Sequence, residues 1–413
     1  MLFLYNLVIQ FTGFLLKILA LCNPKIKLFV AGRKHVFEIV ENKMNSSQKS
    51  IWFHAASLGE YEQGLPVLEK IKEKYPNHTI VLTFFSPSGY EVRKTNQVAD
   101  ITVYLPLDSK KNATRFINSI KPEMVFFIKY EFWPNYLNEL KERKIPVYLI
   151  SGIFRENQFF FKWYGGFYKK ALDAFAFFFV QNDSSKKLLL QLNKTNVVVS
   201  GDTRFDRVAT ILEKDNFLDF IEEFKNETLT IVVGSSWPKD EDLLVNYINK
   251  TNEKVKFIIA PHNIHNDQIL ALKKSISKPT ILFSEKANQN LADFNVLIID
   301  TIGILTKIYS HADIAYVGGG FGHPGVHNLL EPATFGIPVV IGPNYSHFPE
   351  AIALHHLGGC ISVANFNELK DTLSNLISNK AIRNEKGHIC STFVQMNTGA
   401  TAKIINQIPT NLT

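Results

Sequence analysis

Short apolar runs alternate with amphipathic stretches along most of the chain. Residues 50–56, 79–85, 123–128, 146–150, 174–180 and 196–200 are such runs, rich in Val, Ile and Phe. Their length and lack of polar alternation fit strands buried on both faces of a parallel sheet. Helical patterns lie between them, at 61–74, after 86–89, at 135–143 and at 184–192. A charged helical stretch at 208–227 follows. A second series begins at 229–233 and continues through 256–260, 279–283, 296–299, 313–317, 338–341 and 360–363. A helix at 349–357 and closing helices complete it. This succession of strand and helix predicts an α/β chain of two parallel-sheet domains.

The pattern changes at the N-terminus. Residues 2–22 are largely apolar and long enough to cross a hydrocarbon core of about 30 Å. Asn6, Gln10, Gly13 and Lys17 fall at i, i+4, i+7 and i+11, a narrow polar stripe on one face of a helix. Such a helix either spans a bilayer with one face against protein or lies in the interface. Lys25, Lys27, Arg33 and Lys34 follow, and the positive-inside rule then keeps the rest of the chain in the cytoplasm. A cleaved signal peptide is the competing reading, but the basic leading region and small-residue cleavage site are missing.

Composition narrows the class without choosing a function. The 413 residues suffice for two domains of about 200 each. A net charge of +7 and a pI near 9.0 suit anionic partners: phospholipid headgroups, nucleic acid or phosphorylated substrates. Cys22, Cys360 and Cys390 are scattered and odd in number, which makes neither a disulfide framework nor a metal spacing. His311, His323, His327, His355 and His356 make no zinc pattern either.

The densest chemistry lies in the second series. The run at 313–317 ends in Gly318, Gly319 and Gly320, and His327-Asn328 then opens a short helix, 329–335, stopped by Gly336 and Pro338. Glycines let the backbone approach a ligand closely, and a helix start offers free N–H groups. The expected ligand is an anion, most simply a phosphate. Glu331, one turn into that helix, suits ribose hydroxyls beside it. Ser235 and Ser236 lie just ahead of Pro238 at another helix start and offer hydroxyls and N–H groups to a phosphate. Neither G-x-x-x-x-G-K-[ST] nor an N-terminal G-x-G-x-x-G occurs, so a P-loop and a standard dinucleotide site are not expected.

In the first series, Glu60 and Glu131 stand at the carboxyl ends of strands, where α/β folds present reacting groups. Two such carboxylates can divide base and orienting roles. A glutamate at a helix start equally suits a simple cap, so both roles stand for Glu60. Residues 159–170 interleave aromatics with Lys162, Lys169 and Lys170. That suits a membrane interface or a phosphorylated lipid, or else a core helix with a basic edge.

Several motifs together resemble one family. They are Ala56-Ser-Leu-Gly-Glu60, Tyr130-Glu-Phe-Trp-Pro-Asn135, Gly201-Asp-Thr-Arg-Phe-Asp206, Gly234-Ser-Ser-Trp237, Gly318-Gly-Gly320 and His327-Asn-Leu-Leu-Glu-Pro332. Over nearly its whole length the chain resembles the Kdo transferases of lipopolysaccharide synthesis. These are inverting glycosyltransferases of GT-B architecture, with two Rossmann-like α/β domains facing across a cleft and an N-terminal membrane anchor. The resemblance implies transfer of 3-deoxy-D-manno-octulosonic acid (Kdo) from CMP-Kdo to the phosphorylated lipid A precursor, lipid IVA, with no metal and no cofactor. It makes Glu60 the general base and Glu131 the second required carboxylate. It assigns CMP-Kdo to Arg204, Ser235, Ser236, Pro261, His262, Gly319, Gly320, Asn328 and Glu331, and the lipid to Arg155, Lys162, Lys169 and Lys170. Two positions depart from the family pattern: Pro261-His262-Asn263 lacks an expected arginine, and Val326 replaces a glycine.

The implied map is an anchor helix 1–22, an acceptor domain 23–207, a connection 208–228, a CMP-Kdo domain 229–390 and a C-terminal helix or tail 391–413. The implied location is the cytoplasmic face of the cell inner membrane, with no nucleic-acid partner. The alternatives are a nucleotide-sugar epimerase, another GT-B glycosyltransferase acting on a membrane lipid, or a binding protein without turnover.

Overall fold

The structure, a computed structural model, describes residues 2–45, 47–323 and 325–410. The chain forms two compact units, Met1–Arg207 with Thr398–Thr413 and Val208–Asn397.

The first unit is built on seven parallel strands: β1 (Ser50–Ala55), β2 (Thr79–Phe84), β3 (Ile101–Tyr104), β4 (Pro122–Ile128), β5 (Val147–Gly152), β6 (Phe175–Val180) and β7 (Val197–Val199). Their order is β3-β2-β1-β4-β5-β6-β7. The order reverses between β1 and β4, so the loops after these two strands open at the switch point where such sheets take ligands. Alternation along β1 sends Trp52 into one core layer and Ile51, Phe53 and Ala55 into the other. The helix Ala400–Ile405 closes the second layer with Ile404, and Ile408 follows it there. That burial brings residues 398–410 back to the first unit. Strand β3 and the helix Lys110–Ile120 had no counterpart in the expected pattern.

The second unit holds β8 (Thr230–Ser236), β9 (Lys256–Pro261), β10 (Thr280–Leu282), β11 (Val296–Ile298), β12 (Ile314–Val317), β13 (Val339–Ile341) and β14 (Cys360–Ser362). They are parallel, in the order β10-β11-β9-β8-β12-β13-β14. Here the switch lies between β8 and β12. The stretch 208–228, expected as a connection, belongs to this unit. Its helix Asp219–Lys225 buries Ile221 and Phe224 in the core.

The N-terminal helix Leu2–Leu19 packs on the rest of the first unit through Tyr5, Asn6 and Gly13, whereas Gln10 and Lys17 of the expected polar stripe are exposed. The Tyr5 hydroxyl donates to Asp108 Oδ2 at 2.7 Å, and Asn135 Nδ2 donates to Asn6 Oδ1 at 2.8 Å. A Cβ on Gly13 would stand 3.1 Å from a Leu107 methyl, so the small residue allows close approach there. The opposite face is bare: Phe3, Phe11 and Phe14 are 81%, 63% and 61% exposed.

Candidate active site

Glu60 sits in the first turn of the helix Leu58–Lys74, directly after β1. The sequence Ser57-Leu-Gly-Glu60 has capping-box spacing, but no side-chain cap forms at Ser57. Instead the Ser57 hydroxyl donates to Glu60 Oε2. The carboxylate is half-buried and does not close the helix end. Tyr130 lies beside it. Burial raises the Tyr130 pKa, Arg155 and Arg204 pull it down, and Glu60 and Asp202 push it up. These charges therefore gather around one phenol. Arg204 is tied to Asp202 by its Nε at 2.8 Å and its Nη2 at 2.7 Å. It belongs to the first unit, beside the expected base.

Glu131 follows β4, the neighbour of β1. The chain turns there through Lys129, a non-glycine held at φ +70°. Such a left-handed residue costs about 1–2 kcal/mol and is kept where the surrounding structure demands it. Glu131 Oε2 accepts from Trp133 Nε1 at 2.8 Å and pairs with His54 Nε2 at 3.0 Å. His54 is fully buried on β1, and its Nδ1 meets Thr83 Oγ1 at 2.8 Å. Thr83 also accepts from Trp52 Nε1 at 2.8 Å. A chain of polar contacts thus crosses β2, β1 and the loop after β4 and holds one oxygen of Glu131. The two glutamates are in different states: among the described residues Glu60 meets a single hydroxyl, whereas Glu131 is clamped.

Sequence reasoning took His54 only as part of a strand. The visible signal was an imidazole in an otherwise apolar run, followed three strands later by the glutamate it meets. Replacing His54 with Gln, which keeps a donor but shortens its reach, should leave the fold intact and lower turnover about tenfold to a hundredfold by loosening Glu131. Steady-state kinetics beside a thermal melt checks this. Wild-type kinetics in the variant would show that the clamp is not needed.

In the second unit the glycines are crowded by neighbouring backbone. A Cβ on Gly318 would fall 2.4 Å from Ser235 O, and one on Gly320 would fall 2.7 Å from Gly342 Cα. Gly319 has φ +94° and little room beside Gly325 O, and its N–H donates to Asp240 Oδ2 at 2.9 Å. These glycines let backbone pack on backbone. Asp240, fully buried, also accepts from Trp237 N at 3.0 Å and from the Tyr316 hydroxyl at 2.8 Å. One carboxylate therefore fixes the ends of β8 and β12 around the switch point.

Ser235 is squeezed out of the ladder where the β8–β9 register shifts, with φ +53°. Ser236 is buried and donates to Glu241 Oε1 at 2.8 Å. Of the two serines, Ser235 is the more accessible. Pro261 ends β9, and the ring of His262, the next residue, stacks with Trp237 at 4.8 Å and with His327 at 4.4 Å. The helix expected at 329–335 is only Leu330–Thr334, too short for a strong dipole at its start. Asn328 bridges to Glu331 Oε1 at 2.9 Å, and Thr306 donates to Glu331 Oε2 at 2.7 Å. Val326 is buried at 2% exposure, so the side chain replacing a glycine fills core.

Trp237 Nε1 donates to His327 Nε2 at 2.7 Å, which requires that nitrogen unprotonated. Burial, then the neighbouring His262, lower the His327 pKa from 6.5 to about 4. Between those values the unfolded chain binds the proton and the folded unit does not, so the unit loses stability as pH falls from 6.5 towards 4. An NMR titration should show His327 with a midpoint near 4. A midpoint near 6.5 would mean that the stack does not form in solution.

Of the residues expected at a lipid, Arg155 joins the Glu60 group, its guanidinium 5.8 Å from the centroid of the Tyr130 ring. Arg155, Lys162, Lys169 and Lys170 are all exposed. The aromatic segment is not one helix but a turn, Phe159–Phe161, and a short helix, Gly166–Ala171. Phe160 enters the core, while Trp163 is 95% exposed. Tyr168 and Phe167 pack on Tyr5 of the N-terminal helix, with ring centroids 6.3 and 5.3 Å away.

Residues 32–207 match the family model described as 3-deoxy-D-manno-octulosonic-acid transferase (kdotransferase). A 3-deoxy-D-manno-octulosonic acid transferase of Chlamydophila psittaci is 30% identical over 332 residues, covering 76% of this chain and 75% of the relative. One from Haemophilus influenzae is 26% identical over 423 residues, 95% of this chain and 97% of the relative. Among solved structures, UDP-GlcNAc 2-epimerase from Neisseria meningitidis aligns with TM-score 0.59 and 17% identity over 86% of this chain and 98% of its own. MurG of Acinetobacter baumannii aligns with TM-score 0.54 and 14% identity over 87% and 99%. At these identities the structural likeness speaks for the two-domain GT-B fold alone.

Proposed function

The chain belongs to the 3-deoxy-D-manno-octulosonic acid transferase family, and from that membership we propose that it moves Kdo from CMP-Kdo to the phosphorylated lipid A precursor, lipid IVA. The observation that carries the mechanism is the contrast between the two glutamates. Glu60, meeting only the Ser57 hydroxyl among the described residues, takes the proton from the acceptor hydroxyl. That oxygen attacks the anomeric carbon of Kdo as the bond to the CMP phosphate breaks, and CMP leaves with the electron pair. Glu131, clamped by His54 and Trp133, acts as a fixed orienting charge. Ser235, the His262 ring, Asn328 and Glu331 are the groups of the second unit that meet CMP. Ser236 and Gly319 support them from behind, since both are buried and their donors are spent on Glu241 and Asp240. His262 stands where the family pattern has arginine, and burial lowers its pKa from 6.5, so at neutral pH the donor anion meets an uncharged ring there.

A single displacement inverts the anomeric centre. The anomeric configuration of Kdo in the lipid product, read by NMR, should be opposite to that in the donor. Retention would remove the single-base mechanism. The solved epimerases share the fold, and the alternative that the chain isomerises a nucleotide sugar predicts a changed sugar with no lipid product.

The N-terminal helix supports membrane association on the cytoplasmic face of the inner membrane. Its contacts with the first unit run from Tyr5 to Gly13, along much of its length. A helix held this way against a soluble unit, with its apolar face outward, fits an in-plane anchor better than a span. Phe11→Asp with Phe14→Asp, both on the bare face, should abolish co-sedimentation of the full chain with lipid vesicles. Undiminished sedimentation would exclude this helix as the anchor.

A further inference from the structure

The N-terminal helix and the helix Pro24–Ala31 enclose, with the loop after β3, a groove of about 700 Å³. Its apolar lining includes Leu16, Val30, Pro106 and Leu107. Its charged lining is of one sign: Lys17, Lys27, Arg33 and Lys34, with no carboxylate. The three lysines have no acidic partner among the described residues. Arg33 carries the argument further. Its guanidinium donates to Leu105 O at 2.8 Å, Phe29 O at 2.9 Å and Phe85 O at 2.6 Å, and it lies 3.6 Å from the centroid of the Phe29 ring. Burial pulls its pKa down to about 9, and no carboxylate offsets the charge. Three of its five N–H groups are used, so donors remain for an anion.

A groove lined by apolar and cationic side chains matches a ligand with acyl chains and phosphate. It is also linked to the site of the orienting carboxylate, Glu131. The Phe85 carbonyl that Arg33 holds belongs to a residue whose ring is 4.8 Å from that of Trp133, the clamp on Glu131. We propose that this groove seats the acceptor lipid itself, with a phosphate against Lys27, Arg33 and Lys34 and an acyl chain along Leu16 and Leu107. This rests on the transfer reading above and names the part of the protein that recognises the acceptor. A membrane-lying helix as one wall lets the lipid enter sideways without leaving the bilayer surface. The exposed lysines at 162, 169 and 170 then serve the membrane rather than the acceptor.

The test is equilibrium binding of lipid IVA, in neutral detergent micelles, to the full-length protein and to Lys27→Glu with Lys34→Glu. Both side chains are exposed, so the variant should fold as the wild type does. The expected result is at least a tenfold weaker affinity for lipid IVA in the variant, about the worth of one charge-assisted contact. Binding of the dephosphorylated lipid should not change. Phosphatidylglycerol added in equal amount should fail to displace lipid IVA from the wild type. Equal affinity of variant and wild type would overturn the proposal, and so would full displacement by phosphatidylglycerol, which would make the groove a seat for bulk anionic lipid. Turnover is measured in parallel. Binding that follows this pattern supports the groove even without turnover, and absence of Kdo transfer would then count against the transfer reading alone.

Discussion

Glu60→Gln is expected to fold, melt and bind CMP like the wild type, yet transfer Kdo about 10² to 10⁴ times more slowly, the usual worth of a positioned base. The substitution keeps the shape and a hydrogen bond to Ser57, so nothing structural is lost. What it removes is the ability to take a proton. The helix start survives because Glu60 does not cap it. Glu131→Gln should behave differently. Its amide would turn a donor or an acceptor towards His54 and Trp133, so its loss of activity would come with altered local packing. Single-turnover rates for both variants, beside CMP affinity, separate the two roles. A Glu60→Gln enzyme with near wild-type turnover would require another base.

Asp240→Asn should have the largest effect on stability. The carboxylate is fully buried and takes three hydrogen bonds, from Trp237, Tyr316 and Gly319. An asparagine has one acceptor oxygen: turned to the Trp237 and Gly319 N–H groups it sets its NH₂ on the Tyr316 hydroxyl, whose own proton then loses its acceptor, and turned the other way it sets NH₂ against both N–H groups. Leaving such groups unpaired in the interior costs about 3 kcal/mol. For a unit of this size that is a fall of roughly 6 to 12 °C in Tm. CMP affinity should fall too, because Asp240 holds the loops after β8 and β12 in register. Calorimetric melting with and without CMP checks both effects. A variant that melts with the wild type would show that these hydrogen bonds are not made in solution.

The strands were legible because a parallel strand covered on both faces is an uninterrupted apolar run, and runs such as 79–85 and 256–260 carry no competing pattern. Glu60 and Glu131 were legible for the same reason: a carboxylate just past such a run must sit at a strand end. Strand β3 was missed because Ile101–Tyr104 is only four residues long, with a threonine in the middle. The roles of the glycines could not be read, since an open backbone beside a ligand and one beside another strand look alike in sequence. Gly320 meets Gly342, which follows a different strand. His54 and Asp240 were invisible for a related reason. Their partners lie 77 and 79 residues away, at Glu131 and Gly319, and nothing local marks a buried polar side chain as the centre of a network. The return of the last helix to the first unit likewise depends on Ile404 and Ile408 finding a core built by residues before 180.

Purified full-length protein, lipid IVA in detergent and CMP-Kdo generated in the same tube, with the lipid read by mass spectrometry, tests the central claim most directly. The account predicts a mass gain of one or more Kdo units, unchanged by chelator and lost in Glu60→Gln. A folded, CMP-binding protein that leaves the lipid mass unaltered would contradict it.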